Sequence, residues 1–292
     1  MRRLLLRLLP LLFLLPALPA TAAEVLASIR PLALIATAVM GERGSLTQLV
    51  PDGISSHDYS MRPSDRIGLA HARVVLWVGP AHETFLVKAL AASPAEVITA
   101  QNLPGITRLA QRDLNDGHAL PHTLDAHLWL APANAAVIAR ALAEALGKRE
   151  PANASYYRAN AAAFAARMQA LEARLGQALP AGPRRYLAYH DAYQYLEQPL
   201  GLSFAGALTL GHEQAPGAKH LALLAQRIRQ EKIACLLAEP GFDPALAQRP
   251  FDGTPARFIA VDELFTKAPR SPQGYEQGLL SMVDGLRSCL NP

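Results

Sequence analysis

Three histidines stand at junctions in the chain. His57 lies in "ISSHDYSMRPSDR", after an apolar run that ends in the Pro51-Asp52-Gly53 turn. His190 follows "RRYLAY" directly, and His127 sits in "DAHLWLAP", where an irregular stretch meets a helical one. Carboxylates occupy two further strand ends: Glu239 follows "IACLLA", and Asp262, with Glu263 beside it, follows "RFIAV". Imidazole nitrogen with carboxylate oxygen suits a borderline cation such as Zn²⁺, held by four ligands at roughly 2.0–2.2 Å. The residue types alone leave two readings open: a metal site assembled by folding, or separate histidines each hydrogen-bonded in its own place. Positions 57, 127, 190 and 262 are too far apart for a local motif to decide.

Short motifs exclude several other chemistries. His82-Glu83 begins like a zinc-protease helix, but no second histidine follows at the required spacing. The chain has no Gly-x-Ser-x-Gly elbow, phosphate loop or Gly-x-Gly-x-x-Gly turn. His71, His212 and His220 fall on expected helix or loop surface and read as solvated.

The elements that must position these residues alternate. "EVLASI", "SLTQLV" and "RVVLWVG" read as strands, with helices over "PLALIATAVMG" and "HETFLVKALAA" between and after them. Strand–helix–strand alternation predicts right-handed βαβ units and an open parallel sheet. Such sheets bind ligands outside the carboxyl ends of their strands, where these polar residues collect. Residues 101–126 break the rhythm as an irregular excursion, and helix returns from Pro132 to Gly147. An apolar stripe at Tyr157, Ala161, Phe164, Met168, Leu171 and Leu175 then predicts one long helix. Asn153 or Ser155 is positioned to cap it, and Pro180 with Gly182 to end it. Alternation restarts with strands in "RRYLAY", "IACLLA" and "RFIAV" and helices near 191–198, 216–231 and 272–290.

The expected organisation is a signal segment over 1–22, an N-terminal α/β lobe over 23–150, a linking helix over 151–180 and a C-terminal α/β lobe over 181–292. Each lobe is expected to have its own sheet and core. The first residues pair Arg2 and Arg3 with a mostly apolar Leu4–Leu18 stretch and small residues at Ala20-Thr21-Ala22, the layout of a cleaved secretory signal. No cysteine follows that run, so a freely diffusing periplasmic protein without a lipid anchor is expected. Loss of Arg2, Arg3 and Arg7 lowers the formal charge from +4 to +1, which gives no electrostatic case for nucleic acid or anionic membrane. Cys235 and Cys289 are the only cysteines, and an even pair in an exported chain favours a disulfide over two separate thiols.

The stretches "DGISSHDYSMRPSD", "ARVVLWVGPAHETF", "DAHLWLAP", "YLAYHDAYQYLEQPLGL", "EQAPGAKHLALL" and "CLLAEPGFDPAL", in this order and spacing, resemble the periplasmic zinc-binding receptors of bacterial zinc ABC importers. The resemblance covers essentially the whole chain after the signal. It implies a cluster A-I receptor, two α/β lobes joined by one rigid long helix with the metal in the cleft between them. It further implies His57, His127 and His190 as metal ligands. The remaining ligand position is an aspartate opening an Asp-Pro-Leu-Gly run, which here reads Asp262-Glu263-Leu264-Phe265. Asp262 is kept while the proline and glycine are not, which makes Glu263 or water the alternative fourth ligand. Glu239, part of a shared Glu-Pro pair, would orient a ligand histidine. The two cysteines fall where zinc members carry a disulfide.

Manganese-preferring relatives usually have a carboxylate at the place of His190, so three imidazoles favour Zn²⁺. The His- and Asp-rich loop of many zinc members is reduced here to His118 and His122 with Asp113, Asp116 and Asp125. The expected function is therefore capture of Zn²⁺ as a transported ligand by a monomer and its delivery to an inner-membrane ABC permease, with local loop movement rather than wide lobe closure. A receptor for Mn²⁺ or another first-row metal is the near alternative. A periplasmic zinc hydrolase with Glu239 or Glu263 as base is the distant one.

Overall fold

The computed structural model describes residues 24–57, 59–115, 117–179, 182, 184–209, 217–240, 251–254 and 256–290. The expected signal segment and His212 lie outside these residues. In the N-terminal half, β1 (Glu24–Ala27) leads into α1 (Arg30–Met40), whose first turn holds Pro31 and whose end is turned by Gly41 at φ 58°. Then come β2 (Ser45–Gln48), α2 (Pro63–His71), β3 (Val74–Trp77), a 3₁₀ turn at Thr84–Leu86 running into α3 (Val87–Ala91), and β4 (Glu96–Thr99). The strands form one parallel sheet in the order β2-β1-β3-β4. β3 is buried at every residue, as a continuous apolar run in a parallel sheet requires.

The C-terminal half repeats this plan. It contains β5 (Arg185–His190), α6 (Gln194–Leu200), β6 (Ser203–Thr209), α7 (Ala218–Glu231), β7 (Cys235–Ala238), β8 (Arg257–Ala260) and α8 (Gly274–Leu290). Its sheet is parallel in the order β6-β5-β7-β8. In each sheet the first strand lies between the second and third, so the chain leaves it first to one side and then to the other. That reversal opens a crevice at the carboxyl ends.

Two strands were missed by the sequence patterns, for different reasons. β4 is a four-residue edge strand with only Ile98 fully buried, too short to show alternation. β6, "SFAGALT", is built of small residues. Its Gly206 lies where a Cβ would collide with the Leu224 side chain and the Leu114 carbonyl, so packing rather than β-propensity selects it.

Between the sheets, α4 (Pro132–Arg149) and α5 (Ala154–Leu175) form an antiparallel pair hinged at Pro151–Asn153. The 22 residues of α5 span about 33 Å. All six stripe residues from Tyr157 to Leu175 are buried. The expected side-chain cap is not made: Asn153 sits at the N-cap but donates to Glu150 Oε2 at 2.8 Å instead. The helix stops at Leu175, before Pro180. Separate cores are also corrected. One hydrophobic cluster runs from Val25 and Leu32 through Phe164 and Met168 to Tyr186, Tyr275 and Leu286, and only a smaller cluster around Leu224 and Ile228 belongs to the C-terminal half alone. The halves have separate sheets, but they share one core because the inner faces of α1, α4, α5 and α8 pack on one another.

Candidate metal centre

Each histidine of the cleft is placed by a different device. His57 lies in the loop between β2 and α2. That loop is held by Gln48, which donates to Val50 O at 2.7 Å and Asp52 Oδ1 at 2.9 Å, and by the Arg30–Asp52 ion pair at 2.7 Å. His127 precedes a 3₁₀ turn at Leu128–Leu130, which Asn134 Nδ2 fastens through the Leu128 carbonyl at 3.0 Å. His190 is the last residue of β5.

These histidines, distant in sequence, meet at their Nε2 atoms. His127 Nε2 lies 3.4 Å from His57 Nε2 and 3.0 Å from His190 Nε2. Two nitrogens each about 2.05 Å from a tetrahedral Zn²⁺ would stand about 3.3 Å apart. The far side of two of the rings is held by carboxylates. His127 Nδ1 donates to Asp125 Oδ1 at 2.8 Å, and His190 Nδ1 donates to Glu239 Oε1 in a short bond. With Nδ1 carrying the proton, the Nε2 lone pairs face the common centre, the arrangement that makes imidazole a metal ligand. Burial is near complete for His127 and His190, while His57 is half-buried and faces the cleft.

The carboxylates differ in what they offer. Both oxygens of Asp262 are engaged within its own loop, accepting from Leu264 N at 3.2 Å and from Thr266 N and Oγ1 at 2.7 and 2.6 Å. Glu263 is buried, and its Oε2 has no hydrogen-bond partner among the described residues. Burial pushes its carboxyl well above the usual range, Glu239 adds to this, and His190 opposes it. Glu263, Asp262, Glu239 and His57 line one cleft between the halves. For His190, burial lowers the pKa, but the Glu239 carboxylate outweighs it, with Glu263 and Asp191 adding, and the imidazole is pushed up to about 9. Burial pushes Asp125 up to about 7, opposed by the His127 N–H and by Arg112.

Sequence reasoning passed over three contributors. Asp125 reads in the sequence as part of the excursion, and its signal is its spacing, two residues before His127. Arg112, in the same excursion, forks onto Asp191 at 2.6 and 2.7 Å, reaches Glu197 at 2.6 Å and stacks on Phe204. It thereby fastens the excursion to the end of β5. His82 belongs not to a helix but to the turn after β3, where it packs edge-on against His57 with ring centroids 4.3 Å apart. The carboxyl-end rule applied to β3 would have found it.

Elsewhere, His220 is not solvated. Its ring bridges Asn115 Oδ1 at 3.0 Å and the Ala207 carbonyl at 2.7 Å. His71, His118 and His122 are exposed. Cys235 and Cys289 are bonded, tying β7 to α8.

Paired α/β halves with imidazoles and carboxylates gathered in the crevice between them define a metal-binding receptor. The comparisons with known proteins narrow this class. A family model described as zinc-uptake complex component A, periplasmic, matches residues 25–289, and the chain belongs to that family. It is similar to the high-affinity zinc uptake system protein ZnuA of Brucella suis biovar 1 (strain 1330), 31% identical over 305 residues and 91% of each chain. It is also similar to that of Yersinia pestis, 33% identical over 290 residues, 92% of this chain and 91% of the other. Among solved structures, a crystal structure of ZnuA superposes with a TM-score of 0.80 at 22% identity, over 92% of this chain and 100% of that one. The Pseudomonas aeruginosa protein FpvC in complex with Mn²⁺ gives 0.77 at 23% identity, over 92% and 98%. At these identities the structures speak to the fold. The family is a periplasmic binding component of an uptake system and not an enzyme family, which removes the hydrolase alternative.

Proposed function

We propose that this protein captures Zn²⁺ in the periplasm, after cleavage of its N-terminal signal, and delivers it as a monomer to an inner-membrane ABC permease. His57, His127 and His190 ligate the ion through Nε2. The observation that carries this reading is the pair of Nε2–Nε2 separations, 3.4 and 3.0 Å, with Asp125 and Glu239 holding the opposite nitrogens. Three imidazoles favour Zn²⁺ over the harder Mn²⁺. Titration of metal-stripped protein with Zn²⁺ against equal Mn²⁺, with ions counted by native mass spectrometry, tests it. The expected result is one tight Zn²⁺ that Mn²⁺ does not displace, with affinity in His57→Ala reduced beyond about 100-fold, more than loss of an outer residue costs. Preference for Mn²⁺, or an unaffected His57→Ala, overturns it.

The fourth ligand follows from the loop after β8. Asp262 is occupied in bracing that loop, whereas Glu263 brings a buried carboxylate oxygen to the cleft, so Glu263 completes the sphere. Glu263→Gln is expected to weaken Zn²⁺ at unchanged thermal stability of the metal-free protein. Asp262→Asn is expected to lower that stability first, through loss of its charge-assisted hydrogen bonds, by about 1–3 kcal/mol. The opposite pattern in paired titrations and melts would return the ligand role to Asp262.

A further inference from the structure

His82 is a fourth imidazole at this centre. One ring nitrogen each from His57, His82 and His127 lie within 4.8 Å of one another. The side chain is 2% exposed and is wedged edge-on between His57 and Trp129, with centroids at 4.3 and 4.9 Å. Its Nε2 meets Ser56 Oγ at 2.9 Å, which fixes the ring. The turn that carries it is anchored by Glu83, buried at the next position, which accepts from the Ser28 hydroxyl and from Gly79 N at 2.9 Å. A lone buried histidine needs no second imidazole face against it. Here the neighbour is His57, one of the ligands proposed above.

We propose that His82 is itself a metal ligand, forming with His57 and His127 a second three-imidazole set that overlaps the one completed by His190. This rests on the zinc-site reading of the preceding subsection and extends it. The sets share His57 and His127 and differ in where the third ring comes from. His82 stands before α5 in the N-terminal half, and His190 ends β5 in the C-terminal half. The N-terminal half therefore carries a complete imidazole triad of its own. A Zn²⁺ ion docked there passes to the shared site by exchanging one imidazole for another, while two nitrogens keep hold of it.

The test uses metal-stripped wild type, His57→Ala, His190→Ala and the double variant His82→Phe/His190→Ala. Phenylalanine keeps the ring packed on Trp129 and removes both nitrogens. Should that variant melt early, His82→Asn, which keeps a polar partner for Ser56, replaces it. Zn²⁺ affinity is read by chelator competition, and the number of imidazoles on bound zinc by X-ray absorption. The expected result is that His190→Ala still binds one Zn²⁺ through three imidazoles. The double variant falls more than about 100-fold below it, with two imidazoles, a drop beyond the 10–100-fold that a residue acting through a neighbour costs. Equal affinity of His190→Ala and the double variant, or only two imidazoles in His190→Ala, overturns the inference. If in that case wild type binds tightly and His57→Ala does not, the zinc site stands and only the role of His82 falls. Absence of tight zinc in wild type overturns both.

Discussion

At the scale of single residues, the decisive contact is between His190 and Glu239. On the zinc-site reading proposed above, the carboxylate holds His190 in the tautomer a ligand needs, but it also pushes the imidazole up to about 9, which favours the protonated ring at neutral pH in the metal-free protein. Zinc takes only the neutral imidazole and must expel that proton. Residue types alone place the loss of affinity near pH 6.5, the ordinary histidine value. With the pair in place, affinity is expected to rise about tenfold per pH unit up to about pH 9 and then level off. Calorimetric titration at pH 7.5 in buffers of different protonation enthalpy should count at least one released proton per zinc, from His190 with the raised Glu263 carboxyl adding to it, and Glu239→Gln should lower that count by about one. The same pair stabilises the metal-free fold. Because the folded value is raised, this contribution is full below about pH 6.5 and is lost as pH rises through about 9.

At the scale of elements, the loop after β8 shows how an altered motif keeps its shape. Where the resemblance implies glycine, Phe265 adopts φ 55°, the left-handed region that side chains enter at a cost of about 1–2 kcal/mol. Its buried ring packs edge-on against Tyr275 at 5.5 Å, and this packing offsets the backbone cost. Room for the ring comes from Gly278 in α8, where a Cβ would stand 2.5 Å from Phe265 Cγ. Gly278→Ala is therefore expected to destabilise the protein by about 1–3 kcal/mol despite the better helix propensity of alanine. By displacing Glu263 it should also weaken zinc. Thermal melts and zinc titration of this variant check both effects, and a stabilised protein with wild-type affinity would refute the packing argument.

At the scale of the molecule, the two sheets are separate but the body is continuous. Trp129 Nε1 donates to the Glu263 carbonyl at 2.9 Å, Tyr275 Oη to the Trp129 carbonyl at 2.6 Å, and Tyr195 Oη to the Asp125 carbonyl at 2.9 Å. These ties join the halves immediately beside the histidines, and the shared core continues them along α5. The disulfide acts elsewhere. Cys235 opens β7, while Glu239 follows its other end, about 13 Å along the strand. Closing 54 residues of chain, the bond contributes about 4 kcal/mol on the chain-entropy account. Reduction is expected to lower the urea midpoint accordingly while leaving zinc affinity within a few-fold. Loss of zinc binding on reduction at temperatures where the fold persists would show that the bond also shapes the site.

What depends on neighbours along the chain is legible in the residues alone. Strand–helix alternation, the stripe from Tyr157 to Leu175 and the collection of His57, His127 and His190 at junctions are all local patterns, because periodic burial and turn residues act over a few positions. The cysteine pair is legible there too, since two cysteines have one partner each. Tertiary structure alone decided which donors share a centre. The loops that leave β2 and β3, on either side of β1, meet over the same edge of the sheet and set His82 against His57. The fold sets Glu239 behind His190 and Asp125 behind His127, and it ties both oxygens of Asp262 into their own loop while Glu263 Oε2 is left without a hydrogen-bond partner among the described residues. Distances between residues seventy positions apart, and the burial that shifts their protonation, exist only once both sheets are closed over one core.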